Sequence, residues 1–334
     1  MKAIIIDRPI RTSKVELTTD YSGLFTTVLN VPLMVRNIKK LKAQGINQMV
    51  ILTNQVVPRE LRDGSPWGVQ LNYSQELNLT DIENSEHNWI LLPGNVLLDL
   101  DYSKFETWHR LAESALSRAT PTLANWSLPS QYFHPSILTS ETLRSGFMEK
   151  RSLSSLALLN LVNRLHQKHF SVQLVQKVSG LTSNQDYWKA HQTHMADGID
   201  PDTLQGFPLD ENLWIDLNTR VDKSLSMQGF ALVGKNCKIN RDVQFKGFVV
   251  IGDDVIIDSG AIIEDSIIRS NTYIGSEVHL KNSVVNQNRI YRADYDSMLK
   301  VEETWLMGPN ETSSASKWFQ RNAGTGDVWG LAAE

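Results

Sequence analysis

An α/β domain followed by a parallel β-helix is the fold class this sequence predicts, and three observations carry it. Apolar runs alternate with amphipathic helical patterns through the first half. A six-residue repeat runs from residue 233 to the mid-280s. The chain of 334 residues is 41% hydrophobic, enough to bury two cores.

The totals also exclude. A net charge of −4 without a basic run gives no electrostatic reason to expect nucleic acid as a partner. The apolar start is interrupted at Asp7 and Arg8, and no segment approaches the about 20 apolar residues of a membrane span. With a single cysteine, Cys237, no internal disulfide forms. The expectation is a cytoplasmic protein with no membrane span.

Taken in order, the first strand is expected over Lys2 to Ile6. It leads into the turn Asp7-Arg8-Pro9-Ile10-Arg11-Thr12-Ser13, which lacks glycine, the usual residue where a backbone must come close to a phosphate. Pro32, then Leu33, Met34, Ile38 and Leu41, then Gly45, describe an amphipathic helix with its start and stop. Strands follow over Gln48 to Thr53 and Trp89 to Leu92. Ser103 to Glu106 reads as a capping box opening a second helix. A third helix is expected from about Ser152 to Gln167, burying Leu153, Leu156, Leu159 and Leu165. Such alternation predicts a mostly parallel sheet with helices on both faces, and ligands at the carboxyl ends of its strands. Three segments then border any site: the turn after Ile6, the stretch after Thr53, and Pro93-Gly94-Asn95-Val96.

In the second half, Val233, Ile239, Phe245, Ile251, Ile257, Ile263, Ile268, Ile274 and Leu280 lead successive hexads. Four residues after each come Cys237, Val243, Val249, Val255, Ala261, Ile267, Thr272, Val278 and Val284, and the sixth hexad is one residue short. Two inward positions per six residues suit a triangular coil of about three rungs, with each hexad supplying one face. The pattern resembles the left-handed β-helix of the hexapeptide-repeat family. Gly252 and Gly275 are expected at corners, and Cys237 as a packed thiol. Flat faces and an open coil end predict a homo-oligomer.

Three stretches of the first half, "MKAIII", "NVPLMVRNIKKLKAQGINQMVILTN" and "LLPGNVLLDLDYSKFETWHR", resemble the sugar-nucleotidyltransferase family. The later "LTSNQDYWKAHQTHMADG" resembles the segment that closes that family's catalytic domain before a β-helix. The resemblance implies a nucleotidyltransferase-like fold and a reaction in which a sugar 1-phosphate attacks a nucleoside triphosphate. Such a reaction needs close backbone contacts, cationic side chains and magnesium held by carboxylates.

This chain departs from that pattern at each position. The glycine-rich first loop is replaced, and the family's basic residue ahead of Asn30 falls on Gly23. The strand-end aspartate corresponds to Asn95, and the second metal carboxylate to Gly180. Arg8, Arg11, Lys14, Asn54, Gly94 and Asn95 remain as ligand-binding candidates, with no catalytic residue and no metal ligand assigned. Asp99 and Asp101 read as turn and cap residues. His166/His169 and His191/His194 have a spacing that zinc uses but lack a third ligand, and read as helix-surface or packing residues.

The predicted organisation is an α/β domain over 1–195, a linker over 196–230, the β-helix over 231–300, and a tail over 301–334. Trp188 is expected to anchor the junction. The tail, with Trp318, Phe319 and Trp329, reads as a flexible end or a docking peptide. The functional expectation is a catalytically degenerate relative of these transferases in surface-polysaccharide or sugar-nucleotide metabolism. It would bind a nucleotide, a sugar phosphate or a partner enzyme of polysaccharide biosynthesis. Two alternatives stand beside it: a working nucleotidyltransferase with a rearranged site, using magnesium, and an acyltransferase using His279 on the β-helix as general base.

Overall fold

The computed structural model describes residues 1–7, 23–82, 87–94, 96–121, 134–147, 150–165, 170–181, 183–196 and 204–311. These fall into two compact units, one holding 1–7, 23–27 and 32–181, the other 28–31 and 183–311. Among the described residues no helix is long and apolar enough to cross a membrane.

Among the described residues the first unit is built on an eight-stranded sheet. Its strands are β1 (Lys2–Ile6), β2 (Gln48–Leu52), β3 (Gln70–Ser74), β4 (Trp89–Pro93), β5 (Val96–Leu100), β6 (Leu116–Pro121), β7 (Ser136–Leu138) and β8 (Phe170–Gly180). They lie in the order β3-β2-β1-β4-β7-β6-β8-β5. Strands β3, β2, β1 and β4 run parallel. Strand β7 is antiparallel to both its neighbours, β6 and β8 are parallel, and β5 returns antiparallel along β8. The sheet is therefore parallel-rich, with a mixed far half.

Ile4, Ile6, Val50, Leu52, Trp89 and Leu91 share one buried cluster with Leu143, Leu158 and Val162. Their alternates Ala3, Ile5, Met49, Ile51, Ile90 and Leu92 are buried as well, so both faces are covered, as near-continuous apolar strands require.

Helix α1 (Leu33–Ala43) starts after Pro32, and its buried residues include the four expected ones. Helix α2 (Tyr102–Leu111) departs from expectation at its start. Its cap is Asp101, whose carboxylate accepts from Lys104 N at 2.9 Å, so the Ser103–Glu106 capping box is not used. Helix α3 (Ser140–Ser145) is capped by Thr139 and helix α4 (Ser155–Arg164) by Ser154. Helix α4 is thus shorter than the predicted 152–167. Leu153 lies on the preceding strand Ser152–Ser154, and Leu156 is 61% exposed. The face it buries is Leu158, Leu159, Leu161 and Val162, and at about 100° per residue Leu156 points away from that stripe.

In the second unit, helix α5 (Asn184–Ala196) precedes a parallel coil of stacked strands. Arg220 pairs with Lys238 and Lys238 with Ile256, an 18-residue step that equals three hexads. The nine leading positions are all buried, from Val233 at 3% exposed to Leu280 at 4%, and all nine share one core with Cys237, Val243, Val249, Val255 and Ala261. The short sixth hexad has a direct structural counterpart. Lys246 pairs with Glu264 but Val249 with Ser266, and the step falls to 17 residues from there on.

Gly252 and Gly275 do sit where chains crowd: a Cβ on Gly252 would stand 2.5 Å from Ser270 N, and one on Gly275 2.3 Å from Trp305 O. One column of left-handed corners is filled by Asn218, Asn236, Asp254 and Asn271, with φ of 59°, 56°, 56° and 61°. Short polar side chains tolerate this conformation and here bond along the column. Asn218 Nδ2 donates to Asn236 Oδ1 at 2.9 Å, and Asn236 Nδ2 to Asp254 Oδ1 at 3.3 Å.

Two boundaries need correction. The span 196–230 was expected as a linker, yet Leu213–Ile215, Arg220–Val221 and the start of Ser226–Val233 already stack on the coil. Helix α5, expected in the first domain, belongs with the coil: Trp188 Nε1 donates to Asp265 O at 2.8 Å, and the indole lies 5.6 Å from the Phe248 ring. Trp188 therefore anchors its helix on the coil corner where the register shortens. Nor is the last coil left open. Arg289–Arg292 folds back antiparallel on Ser283–Asn286, and Met307–Pro309 pairs antiparallel with Thr272–Ile274, inside the span expected as a tail.

Cys237 is buried, its Sγ 3.0 Å from Gly252 O, and burial pushes its thiol up to about 12. Alkylation of the folded protein at pH 8 is expected to be about 10³-fold slower than in denaturant, because the thiolate is the reacting form. Rates measured with iodoacetamide with and without urea check this, and comparable rates would contradict a packed thiol.

Candidate functional site

The register of the parallel strands brings the carboxyl ends of β1, β2 and β4 to one edge, since Ile6 stands beside both Leu52 and Pro93. The residues just beyond are Asp7, Thr53 with Asn54 and Gln55, and Gly94. The candidates Arg8, Arg11, Lys14 and Asn95 lie outside the described residues, as do His166, His169, Trp318, Phe319 and Trp329.

Asp7 organises this edge. Its side chain is buried, 7% exposed, and both oxygens are engaged. Leu24 N donates to Oδ1 at 3.0 Å, while Thr53 Oγ1 and Gln55 Nε2 each donate to Oδ2 at 2.7 Å. The Thr53 hydroxyl accepts in turn from Gln55 N at 3.1 Å, which fixes the direction of its own proton. Burial raises the Asp7 carboxyl above the 3.8 usual for aspartate, and the bonds from Thr53, Leu24 and Gln55 only partly offset it. Gly23, at φ +70°, passes so near that a Cβ there would stand 2.3 Å from Asp7 Oδ1.

Of the two described candidates, Asn54 is exposed in the bend after β2. Gly94 is buried, with its N–H donating to Ile6 O at 2.9 Å. A Cβ at Gly94 would meet Leu24 Cδ1 at 2.9 Å, Ile5 Cγ2 at 3.1 Å and Ile6 O at 3.2 Å. Its lack of a side chain therefore serves internal packing. Asp7 itself was missed as a site residue. The signal was present, as a carboxylate directly after four buried apolar residues, but its partners become visible only once the β1–β2 register is known.

A concavity of about 590 Å³ opens at the opposite edge of this unit, lined among others by Asn88, His109, Arg110, Glu113 and Glu141. The His109 ring is buried, with Nδ1 2.8 Å from Ser117 Oγ, and burial lowers its pKa while Glu106 opposes. Mixed charges without a converging set give this cleft no defined chemistry, so the strand ends remain the better-founded site.

The remaining sequence candidates resolve into packing or solvated groups. His191 is buried with Nδ1 2.9 Å from Tyr187 O, one turn back on its own helix. His279 is half exposed, 3.8 Å from Glu264, which pairs more closely with Lys281 at 2.7 Å. Among the described residues no three His, Cys, Asp or Glu side chains gather as a cation site.

No protein-family model matches the chain, and no curated protein matches it. A solved structure that does match is a Bacillus anthracis protein provisionally named a glucose-1-phosphate thymidylyltransferase, in complex with a sucrose. It is 12% identical, with the match covering 58% of this chain and 94% of that chain at a TM-score of 0.44.

Proposed function

We propose that this chain is a catalytically degenerate, nucleotidyltransferase-like protein. It acts by binding a nucleotide, a sugar phosphate or a partner enzyme in surface-polysaccharide or sugar-nucleotide metabolism. The observation that carries the reading is the engagement of Asp7 at the end of β1: donors that face this edge of the sheet are taken by a carboxylate of the chain itself.

Transfer of a nucleotidyl group brings two polyanions together and needs cations and open donors to receive them. Gly94 offers no open cradle, since Leu24, Ile5 and Ile6 fill the space a side chain would take. Magnesium does not fit the positions the resemblance assigns it, because Asn95 and Gly180 supply no carboxylate. Asp7, with both oxygens hydrogen-bonded, is no substitute.

The test is pyrophosphate release with magnesium over a panel of nucleoside triphosphates and sugar 1-phosphates, run beside thermal shift with the same compounds. The expected result is stabilisation by at least one compound without turnover, since a ligand that binds only the folded state raises its melting temperature. Turnover with any pair would overturn the reading in favour of a rearranged but working site.

A further inference from the structure

We infer that Leu24 N, Thr53 Oγ1 and Gln55 Nε2 form a carboxylate-sized anion site that the chain fills with its own Asp7. The inference goes beyond the proposed function, since it holds whichever ligand the protein takes elsewhere.

Three features distinguish this arrangement from a side chain that merely found partners. The donors come from separate segments, the short helical turn Gly23–Phe25 and two positions beyond the end of β2, and converge on one carboxylate at 3.0, 2.7 and 2.7 Å. All three are neutral, so the site is built from dipoles, as oxyanion-binding sites commonly are. Its wall is backbone, with Gly23 in the left-handed region and no room for a Cβ beside Oδ1. The donors are themselves held: Gln55 N binds the Thr53 hydroxyl, and Thr53 N donates to Ser74 O at 2.9 Å on β3. Removing the carboxylate would therefore leave the donors in place around a small void. An anion arriving at this edge of the native protein finds them already used.

The experiment uses the full chain carrying Asp7→Ala, whose deleted group matches formate in size and charge. Sodium formate, against sodium chloride at equal ionic strength, is expected to raise the melting temperature of the variant by about 3–6 °C at ten times its dissociation constant. It should not shift the native protein. Adding Gln55→Ala to the variant should weaken or abolish the formate effect. If Asp7→Ala does not fold in chloride, refolding in formate should restore soluble protein with native circular dichroism. A variant that formate neither stabilises nor refolds, or a native protein that formate stabilises equally, overturns the inference.

Discussion

Replacing Gly229 by alanine is expected to destabilise the second unit by at least about 3 kcal/mol, lowering its melting temperature by about 6–12 °C. Gly229 stacks directly on Gly247 in the parallel ladder, at φ +135°, a conformation that side chains rarely adopt. A Cβ would stand 2.0 Å from Gly247 O and 2.8 Å from Gly247 N and C. These are backbone atoms held by the next coil, so no rotamer change relieves the overlap. Gly45→Ala is the control: its φ is +78° but nothing lies within 4 Å of its Cβ, so only the backbone strain applies, about 1 kcal/mol. Urea unfolding followed by circular dichroism separates the two, and similar losses would mean that the coil yields where the ladder says it cannot.

Truncating Asp7 to alanine is expected to cost about 2–3 kcal/mol near neutral pH, because buried donors such as Leu24 N lose their acceptor. The pH dependence follows from the direction of its shift. Its folded pKa is raised, so the folded protein holds this proton more tightly than the unfolded chain. The contribution of Asp7 to stability is then greatest below the unfolded value of 3.8 and declines as pH rises through the raised folded value. The stability gap between native protein and Asp7→Ala should accordingly be wider at acid pH than at neutral pH. Taking the difference cancels the other titrating groups. A gap that widens with rising pH would mean that the hydrogen bonds outweigh burial at this carboxylate.

The coil was nearly transparent to sequence reading because its rule is periodic and each position repeats the same test. Apolar residues six apart must face inward, and a single missing residue marks itself as a change of phase, as it does near Asp265. Which residue would turn each corner was less visible. Asn236 and Asp254 carry the left-handed conformation, while Gly252 answers to a neighbour's backbone that only stacking reveals.

In the first unit the strand cores were legible from apolar runs, but helix starts were displaced where two capping residues competed. Asp101 caps in place of Ser103, and Ser154 caps α4, whose buried stripe of Leu158, Leu159, Leu161 and Val162 leaves Leu156 outward. The edge around Asp7 was the least legible part. Its meaning depends on Leu24, Thr53 and Gln55 arriving together, and their separations along the chain carry no local signal.

Reversed strands close two edges of the coil to parallel continuation. Phe207–Asp210 lies antiparallel on Leu213–Ile215 at one extremity, as Met307–Pro309 does on Thr272–Ile274 at the other. A parallel ladder with bare terminal rungs would template its own continuation from molecule to molecule, in the manner of a growing fibril. At these two edges a strand running the wrong way does not continue the parallel ladder, whereas Arg220–Val221 and His279–Lys281 remain parallel edge strands among the described residues.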